Sequence, residues 1–338
     1  MLHRLFLLLL VPPVFAIPAS TTLTLVEGEP GFNTLTIRVD PDTPISLADT
    51  ETTILSGSVI ADFDVDPATG KTSEFTLREG RATTSPLNFS RSFLGLGYNV
   101  SGNQLSAAIV TPDPPGTVEP ETGEFDASQH SFEIDQGSIT GTALGSPVDL
   151  TLSPEDPFIG SGSGTGTITL TPDGNSGIFL KFSVAVTLPI AIDDNFDGGG
   201  VNVAITAAGT LKATGTLEVP KSEYLAWTLA EGITGADGQA DANGDGVPNA
   251  IVWALGLGAL DDARNFVLKT ANGAYEIQLP PTGTIAPITI QGSDLFSAWT
   301  PVSANRISSS LNPIPPASTG LITISRIADE FLRLKVDE

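Results

Sequence analysis

The chain has 338 residues, and its 39 Asp and Glu against 15 Lys and Arg give a formal net charge of −24, with no cysteine. A surface this acidic repels the phosphates of nucleic acids, so we expect no nucleic-acid partner. The lack of cysteine excludes a disulfide framework, a zinc ribbon and thiol catalysis. A hydrophobic fraction of 40% is enough for a sizeable core, and the length is that of about two domains.

Residues 1–16 predict a signal peptide. A short basic start is followed by an unbroken apolar run over residues 5–11, and Val14-Phe15-Ala16 has the small-residue pattern of a signal-peptidase site. The run is too short for a membrane-spanning helix, which needs about 20 apolar residues. We therefore expect cleavage after Ala16, with Ala19 as the alternative. The mature protein is expected to be secreted or at the cell surface, without a transmembrane segment, and its lack of cysteine is typical of bacterial export.

Residues 17–220 predict a large β domain. Apolar and polar residues alternate in short runs such as 22–26, 34–39 and 167–170, and Gly, Pro, Asn and Asp separate the runs. A period of two places one set of side chains on a core and the other in solvent. The expected fold class is mainly β, with a large antiparallel β-sandwich or barrel in this part of the chain.

Glycine patterns in this domain predict several turns. The pattern Phe-x-aliphatic-x-x-Gly occurs at residues 75–80 and again at 132–137, and each copy predicts a strand that ends in a glycine turn. The Gly- and Ser-rich segment 160–164 predicts a flexible turn. The acidic segment 193–198 predicts a polar turn, with a second cation loop as the alternative.

Residues 221–261 predict a short helix-loop-helix connector. Ser222 is the expected N-cap of the first helix, and the second is expected from about Pro248 to Leu255, ended by Gly256 or Gly258. Residues 262–338 predict a small C-terminal β module, because alternating segments surround Asn272-Gly273, the strongest short hairpin signal.

The loop between the two helices follows most of the EF-hand pattern. Positions 1, 3, 5 and 9 carry oxygen-bearing side chains, position 6 is glycine, and position 7 offers a backbone carbonyl. Position 12 should be Asp or Glu but is Val252, so we expect Ca²⁺ to bind no more tightly than ~10⁻⁴–10⁻³ M. The alternative is an ordinary polar loop held by bonds from side chains to the backbone. The expected metal ligands are Asp241, Asn243, Asp245, Val247 and Asn249.

This segment resembles a known group of calcium loops. Trp227, Gly235-Ala236, the loop itself and Trp253-Ala254-Leu255-Gly256 are similar to the dockerin-like or thrombospondin-type-3-like loop of bacterial secreted proteins. In those proteins the following helix usually reads Asn-x-x-Glu-Tyr-Ala-Leu-Gly, and here Val252 replaces the Glu. The C-terminal residues 292–295, 299–301 and 331–336 resemble the same group. The resemblance covers about residues 222–338 and implies a calcium loop before a C-terminal β module, but no activity for residues 17–220.

Candidate catalytic groups are few, and no catalytic residue is assigned. His130, the only histidine after residue 16, stands beside a predicted strand without a nucleophile motif, which favours a structural role. Asp62, Asp64 and Asp66 share one face of a predicted strand. They form either a cation or sugar site or, as we prefer, a solvated face or a charged edge strand.

These observations favour an exported, non-enzymatic structural or adhesive β protein with a weak calcium site. Its expected partner is an extracellular glycan or a cell-surface component. The alternatives are a carbohydrate-active enzyme whose carboxylates lie in residues 17–220, and an apolar-ligand-binding β-barrel in the same residues. A filled sandwich would support the first interpretation, a cleft with facing carboxylates the second, and an apolar cavity the third.

Overall fold

The computed structural model describes residues 16–43, 46–110, 112, 115–197, 202–266, 269–271, 274–293, 298–325 and 331–336. The chain divides into two compact units, Met1–Val219 and Pro220–Glu338. The predicted signal peptide lies outside the described residues except for Ala16, and the first strand begins at the next residue, Ile17.

The alternating segments of the first unit form strands, as their period of two predicts. These strands make one large antiparallel sheet, so the mainly β fold class is confirmed. The strands are β1 (Ile17–Leu25), β2 (Thr34–Pro41), β3 (Asp49–Asp66), β4 (Lys71–Thr84), β5 (Leu87–Phe93), β6 (Leu96–Val110), β7 (Gly116–Glu119), β8 (Glu124–Asp126), β9 (Ser131–Ala143), β10 (Ser146–Thr151), β11 (Phe158–Gly162), β12 (Thr165–Ser176), β13 (Phe179–Asp197) and β14 (Asn202–Pro220).

The strand pairings close this sheet on itself. β3 pairs with β4, and the path continues through β6, β9, β11 and β13 to β14. β14 then pairs with β1 and β2, and both of these strands pair with β3. A closed path favours the barrel over the open sandwich and gives the unit an enclosed interior.

A bulge in β4 decides which of its side chains face that interior. Ile60 pairs with Glu79 but Ala61 pairs with Leu77, so β4 contains one extra residue relative to β3 at this point. Phe75 and Leu77 are buried before the bulge, at odd positions. Beyond it, the even positions 82 and 84 line the interior instead. An extra residue shifts every following side chain to the opposite face.

The two glycines of the repeated pattern are not turn residues, and that prediction is wrong. Gly80 and Gly137 lie inside β4 and β9, with φ values of +136° and +113°. A Cβ atom on Gly80 would lie 2.4 Å from the carbonyl oxygen of Ser58, and one on Gly137 would lie 2.7 Å from that of Gln104. These glycines therefore allow neighbouring strands to approach closely.

Two other predicted turns lie largely within strands. The first residues of segment 160–164 belong to β11, where a Cβ on Gly160 would lie 2.2 Å from the ring of Phe132. Segment 193–197 continues β13, and Gly198 lies outside the described residues. Residues 163 and 164 do form the connection between β11 and β12, and Gly164 has a φ of +69°, so the first prediction holds only for the end of its segment. The second prediction is wrong for residues 193–197, because pairing with other strands, and not local composition, decides their conformation.

The second unit contains two helices and two three-stranded sheets, β15-β16-β19 and β18-β17-β20. Neither described helix has the length and apolar composition required to cross a membrane. The elements are α1 (Glu223–Ala230), α2 (Asn249–Ala254), β15 (Lys269–Ala271), β16 (Ala274–Leu279), β17 (Thr289–Ser293), β18 (Thr300–Pro301), β19 (Gly320–Ser325) and β20 (Phe331–Lys335).

The ends of these helices follow the expected chemistry. The Ser222 hydroxyl accepts a hydrogen bond from the Leu225 amide at 3.3 Å, so the predicted N-cap is confirmed. Gly256 follows α2 with a φ of +69°, the conformation that commonly ends a helix. The predicted Asn272-Gly273 turn lies outside the described residues, but Ala271 and Ala274 on either side of it pair.

Helices and strands of the second unit share one hydrophobic core. Tyr224 of α1 and Val252 of α2 are buried in it together with Ile277, Ile290 and Ile324 of the strands. The predicted connector and the predicted C-terminal module therefore pack around common side chains.

Candidate functional site

The interior of the closed sheet contains an apolar cavity of about 90 Å³, here called the major cavity. Most strands of the closed path, but not β1 or β3, contribute residues to its lining, and none of the lining residues is charged. They are Leu35, Ile37, Val39, Thr84, Leu87, Phe89, Val100, Gly102, Leu105, Ile134, Ile139, Leu152, Phe158, Ile192, Ile205 and Ala207.

Two smaller cavities follow the major one in a row, each sharing lining residues with the one before it. A cavity of about 40 Å³, the minor cavity, shares Leu35, Thr84 and Ile192 with it. A third, of about 20 Å³, shares Ile109 and Leu211 with the minor cavity. The three spaces thus form a series of neighbouring apolar voids through the described part of the first unit.

Thr84 is the one polar side chain in the described linings of these three cavities. It ends β4 and lies where the major and minor cavities meet. Its hydroxyl oxygen is buried and has no hydrogen-bond partner among the described residues. A buried hydroxyl without a partner costs about 1–3 kcal/mol, so such groups are rare unless something else satisfies them.

The EF-hand-like loop is held by its own hydrogen bonds. The Asp241 carboxylate accepts from the amides of Gly244 at 2.8 Å and Gly246 at 2.7 Å. Asp245 accepts from the amides of Val247 at 2.8 Å and Ala263 at 2.7 Å. The loop is therefore ordered by contacts within the protein.

The other two predicted side-chain ligands also bond to protein groups. The Asn243 amide donates to the backbone oxygen of Asp261 at 2.6 Å, and its oxygen accepts from the Asp245 amide at 3.0 Å. The oxygen of Asn249 accepts from the Ala242 amide at 3.0 Å, while its buried Nδ2 has no partner among the described residues. This Nδ2 atom is a hydrogen-bond donor, so a bound cation could not be its partner.

The twelfth loop position contributes no oxygen. Val252 is 1% exposed and belongs to the core of the second unit. In the described part of the chain, no group of three or more acidic or histidine side chains is arranged to hold a metal ion. The residues present do not complete a calcium cage of six to eight oxygens, so we derive no function through the ion, and Ca²⁺ binding stays a prediction.

His130 is enclosed by aromatic rings. Its side chain is 2% exposed, and its ring centroid lies 5.1 Å from that of Phe75 and 5.3 Å from that of Phe125. Neither ring nitrogen has a hydrogen-bond partner among the described residues. Burial lowers the pKa of His130 to about 4, and the nearby Asp126 opposes this shift. The imidazole is therefore neutral near pH 7 and packs as an aromatic ring.

The acidic run on β3 faces away from the buried side of that strand. Phe63 and Val65 are buried, while the three aspartates between and beside them are partly exposed, as the alternation predicts. β3 pairs on both sides, so the charged-edge interpretation is wrong. Asp62 forms a salt bridge with Arg78 at 3.0 Å, and Asp66 accepts from the Ala68 amide at 2.8 Å.

One carboxylate pair stands out on this surface. Asp64 lies opposite Glu74 in the β3–β4 pairing. Burial, then the charge of Glu74 and a hydrogen bond with it, raise the pKa of Asp64. Glu74 itself is exposed, and the pair lines none of the three cavities.

Sequence reasoning missed Thr84, and the bulge explains why. Phe75 and Leu77 are buried. If strict alternation continued from them along β4, residue 83 would face the interior and Thr84 would face solvent. The extra residue in β4 reverses this alternation. Because residues 83 and 84 are both threonine, their identity does not indicate which of the two faces the interior.

No protein-family model matches the chain, and comparisons with curated proteins and with solved structures also gave no match.

Proposed function

We propose that this protein binds a small apolar molecule inside the closed sheet of its first unit. The observation that carries the proposal is the major cavity of about 90 Å³, which is lined by uncharged residues. Apolar cavities of this kind stay dry and accept small apolar molecules; an engineered cavity of about 150 Å³ binds benzene. Together with the adjoining minor cavity of about 40 Å³, the space approaches that volume, so the expected ligand is about the size of a six- or seven-atom hydrocarbon.

The energetic cost of an empty cavity supports this proposal. At about 24 cal/mol per Å³, a void of this size reduces stability by about 2 kcal/mol. Leaving it empty would be unusual, because natural protein interiors contain few voids larger than a water molecule. A bound ligand recovers the lost contacts and stabilises the folded state.

The other two interpretations receive less support. A structural or adhesive role would suit a filled core, which the major cavity interrupts. A carbohydrate-active enzyme needs two carboxylates about 5–10 Å apart around a substrate, and the described linings of the three cavities contain no carboxylate. Export remains part of the proposal, with the ligand taken up outside the cytoplasm.

Toluene and n-hexane test the proposal by calorimetric titration of the full-length protein. We expect both to bind the wild type. The variant Ala207→Leu places a larger side chain in the major cavity and should abolish binding. Ala208→Leu is the matched control, because Ala208 is the next residue of β14 and is exposed. Failure of both probes to bind the wild type at their solubility limits would overturn the proposal.

A further inference from the structure

We infer that this protein attaches to zwitterionic lipid surfaces through two hairpin turns of its first unit, here called the apolar tips. They are the β5–β6 turn at Leu94-Gly95 and the β9–β10 turn at Leu144-Gly145. The inference is carried by the exposure, the backbone conformation and the electrostatic surroundings of these turns, and it does not depend on a ligand in the major cavity.

The two turns lie next to each other at one edge of the sheet. β6 pairs with β9, and Tyr98 lies opposite Ala143 near the ends of both strands. The Leu144 amide donates a hydrogen bond to the carbonyl oxygen of Gly97 at 2.8 Å. The side chains of both turns can therefore meet the same surface.

Apolar side chains are concentrated on the first of these turns. Leu94 is 86% exposed, and Phe93 and Leu96 on either side of the turn are also exposed. These three are among only nine large apolar side chains that are exposed in the described part of the chain. Single exposed apolar side chains are ordinary, whereas a cluster of this kind marks an interaction surface.

Leucine is an unusual residue for these turns. Leu94 and Leu144 have φ values of +48° and +52°, and the glycine that follows each has a φ of +85°. A two-residue hairpin turn of this type is normally Asn-Gly or Asp-Gly, because a bulky side chain is strained in this conformation. The same unfavourable residue in both turns indicates that the side chain serves a purpose other than turn formation.

Acidic side chains are scarce around the tips. Residues 80–112 contain no Asp or Glu, although the chain has 39 of them in 338 residues. Asp49, which accepts from the Ser90 amide of β5 at 3.0 Å, has a side chain that is 7% exposed and pairs with Arg91 at 2.9 Å. In the β9–β10 hairpin, Asp149 is in the fourth pair from the turn. The tips can therefore enter a lipid surface without carrying an unpaired carboxylate into it.

A lipid surface suits these tips better than a protein partner. A stable protein interface buries about 800 Å² on each partner, whereas the tips offer a few projecting side chains. A bilayer accepts such side chains at its headgroup boundary, and the strength of attachment increases with the apolar area buried there. Zwitterionic lipid is favoured, because anionic headgroups would repel a protein with a net charge of −24.

Flotation with phosphatidylcholine vesicles tests the inference. The exported protein without residues 1–16 is used, because an apolar leader would itself bind lipid. We expect the protein to float with these vesicles, and less with vesicles that also contain phosphatidylserine. Leu94→Asn should weaken binding to phosphatidylcholine roughly tenfold, because one leucine is no longer buried in the lipid.

Two further variants complete the design. Leu260→Asn is the matched control, since Leu260 is 74% exposed in the second unit, and its binding should stay within about twofold of the wild type. Leu144→Asn should also weaken binding, but less, because Leu144 is less exposed than Leu94. Asparagine is favoured at both turn positions, so both turn variants should unfold at a higher temperature than the wild type, which excludes misfolding as the cause of weaker binding.

Four outcomes would overturn the inference. The first is no binding of the wild type to phosphatidylcholine vesicles, and the second is an equal effect of Leu94→Asn and Leu260→Asn. The third is tighter binding to the vesicles that contain phosphatidylserine. The fourth is a dimer in solution that binds no vesicles and that Leu94→Asn dissociates, which would make the tips an interface between copies of this chain.

Discussion

Two buried threonine hydroxyls, those of Thr84 and Thr53, predict opposite effects on stability. Thr84→Val removes a hydroxyl without a partner among the described residues and should stabilise the ligand-free protein by about 1 kcal/mol. Thr53→Val removes hydrogen bonds to Ser85 and should destabilise it by a similar amount. Urea unfolding of both variants checks the signs. A loss of stability in Thr84→Val would mean that its hydroxyl has a partner in the folded protein.

His130 should make stability fall as the solution becomes acidic. Its pKa is about 4 in the folded protein and about 6.5 when unfolded, so the unfolded chain binds more protons between these values. Stability is therefore lost as pH decreases from about 6.5 to about 4, by about 3 kcal/mol, and this group contributes no further loss below that.

The His130→Leu variant isolates this effect from the titration of carboxylates. We expect its free energy of unfolding to fall less than that of the wild type over the same pH range. The imidazole resonances can be titrated directly by NMR, because His130 is the only histidine after residue 16. Parallel pH profiles for the two proteins would contradict the assignment.

At the scale of elements, the loop between α1 and α2 predicts a limited response to calcium. Asp241 and Asp245 already accept backbone amides, so removal of calcium by a chelator should not unfold the second unit. At a Kd of ~10⁻⁴ M and ~1 mM free calcium, binding would stabilise it by about 1.4 kcal/mol.

The Val252→Glu variant sharpens this prediction. It restores the carboxylate at the twelfth loop position and should tighten calcium binding, but it also places a charge where a buried valine packs. We expect a higher calcium affinity and a lower stability without calcium. Calorimetric titration of both proteins measures the first, and thermal unfolding with chelator measures the second. If neither the wild type nor the variant binds Ca²⁺ at millimolar concentrations, the loop keeps its conformation without the ion.

Local patterns predicted most elements, whereas pairings distant in sequence decided the rest. The runs at 22–26, 34–39 and 167–170 and the Ser222 cap follow from period and capping chemistry, and all are present. The sequence pattern predicts turns at Gly80 and Gly160, but both lie within strands. Glycine is needed there because a neighbouring strand or aromatic ring approaches closely, which a local pattern does not show. The cavity could not be assigned to residues, since it requires the closure of the sheet and the bulge in β4.

At the scale of the whole molecule, the start of β1 bears on the expected site of leader cleavage. Residues 17–19 pair with residues 63–65 of β3, and Ile17 is buried. Cleavage after Ala16 leaves this pairing intact, whereas cleavage after Ala19 would remove it. We expect N-terminal sequencing of the exported protein to begin at Ile17. A start at Ser20 would contradict this, and a start at Met1 would contradict the predicted leader.

The closed path of pairings also sets the order in which the first unit can be completed during synthesis. Thr21 in β1 donates a hydrogen bond to the backbone oxygen of Thr216, 195 positions later. β1, β2 and β3 can pair early, but β1 and β2 keep a free edge until β14 leaves the ribosome. Unpaired edges invite association between chains, and contacts so distant in sequence form slowly. That edge therefore stays unpaired until β14, the last strand of the first unit, is available.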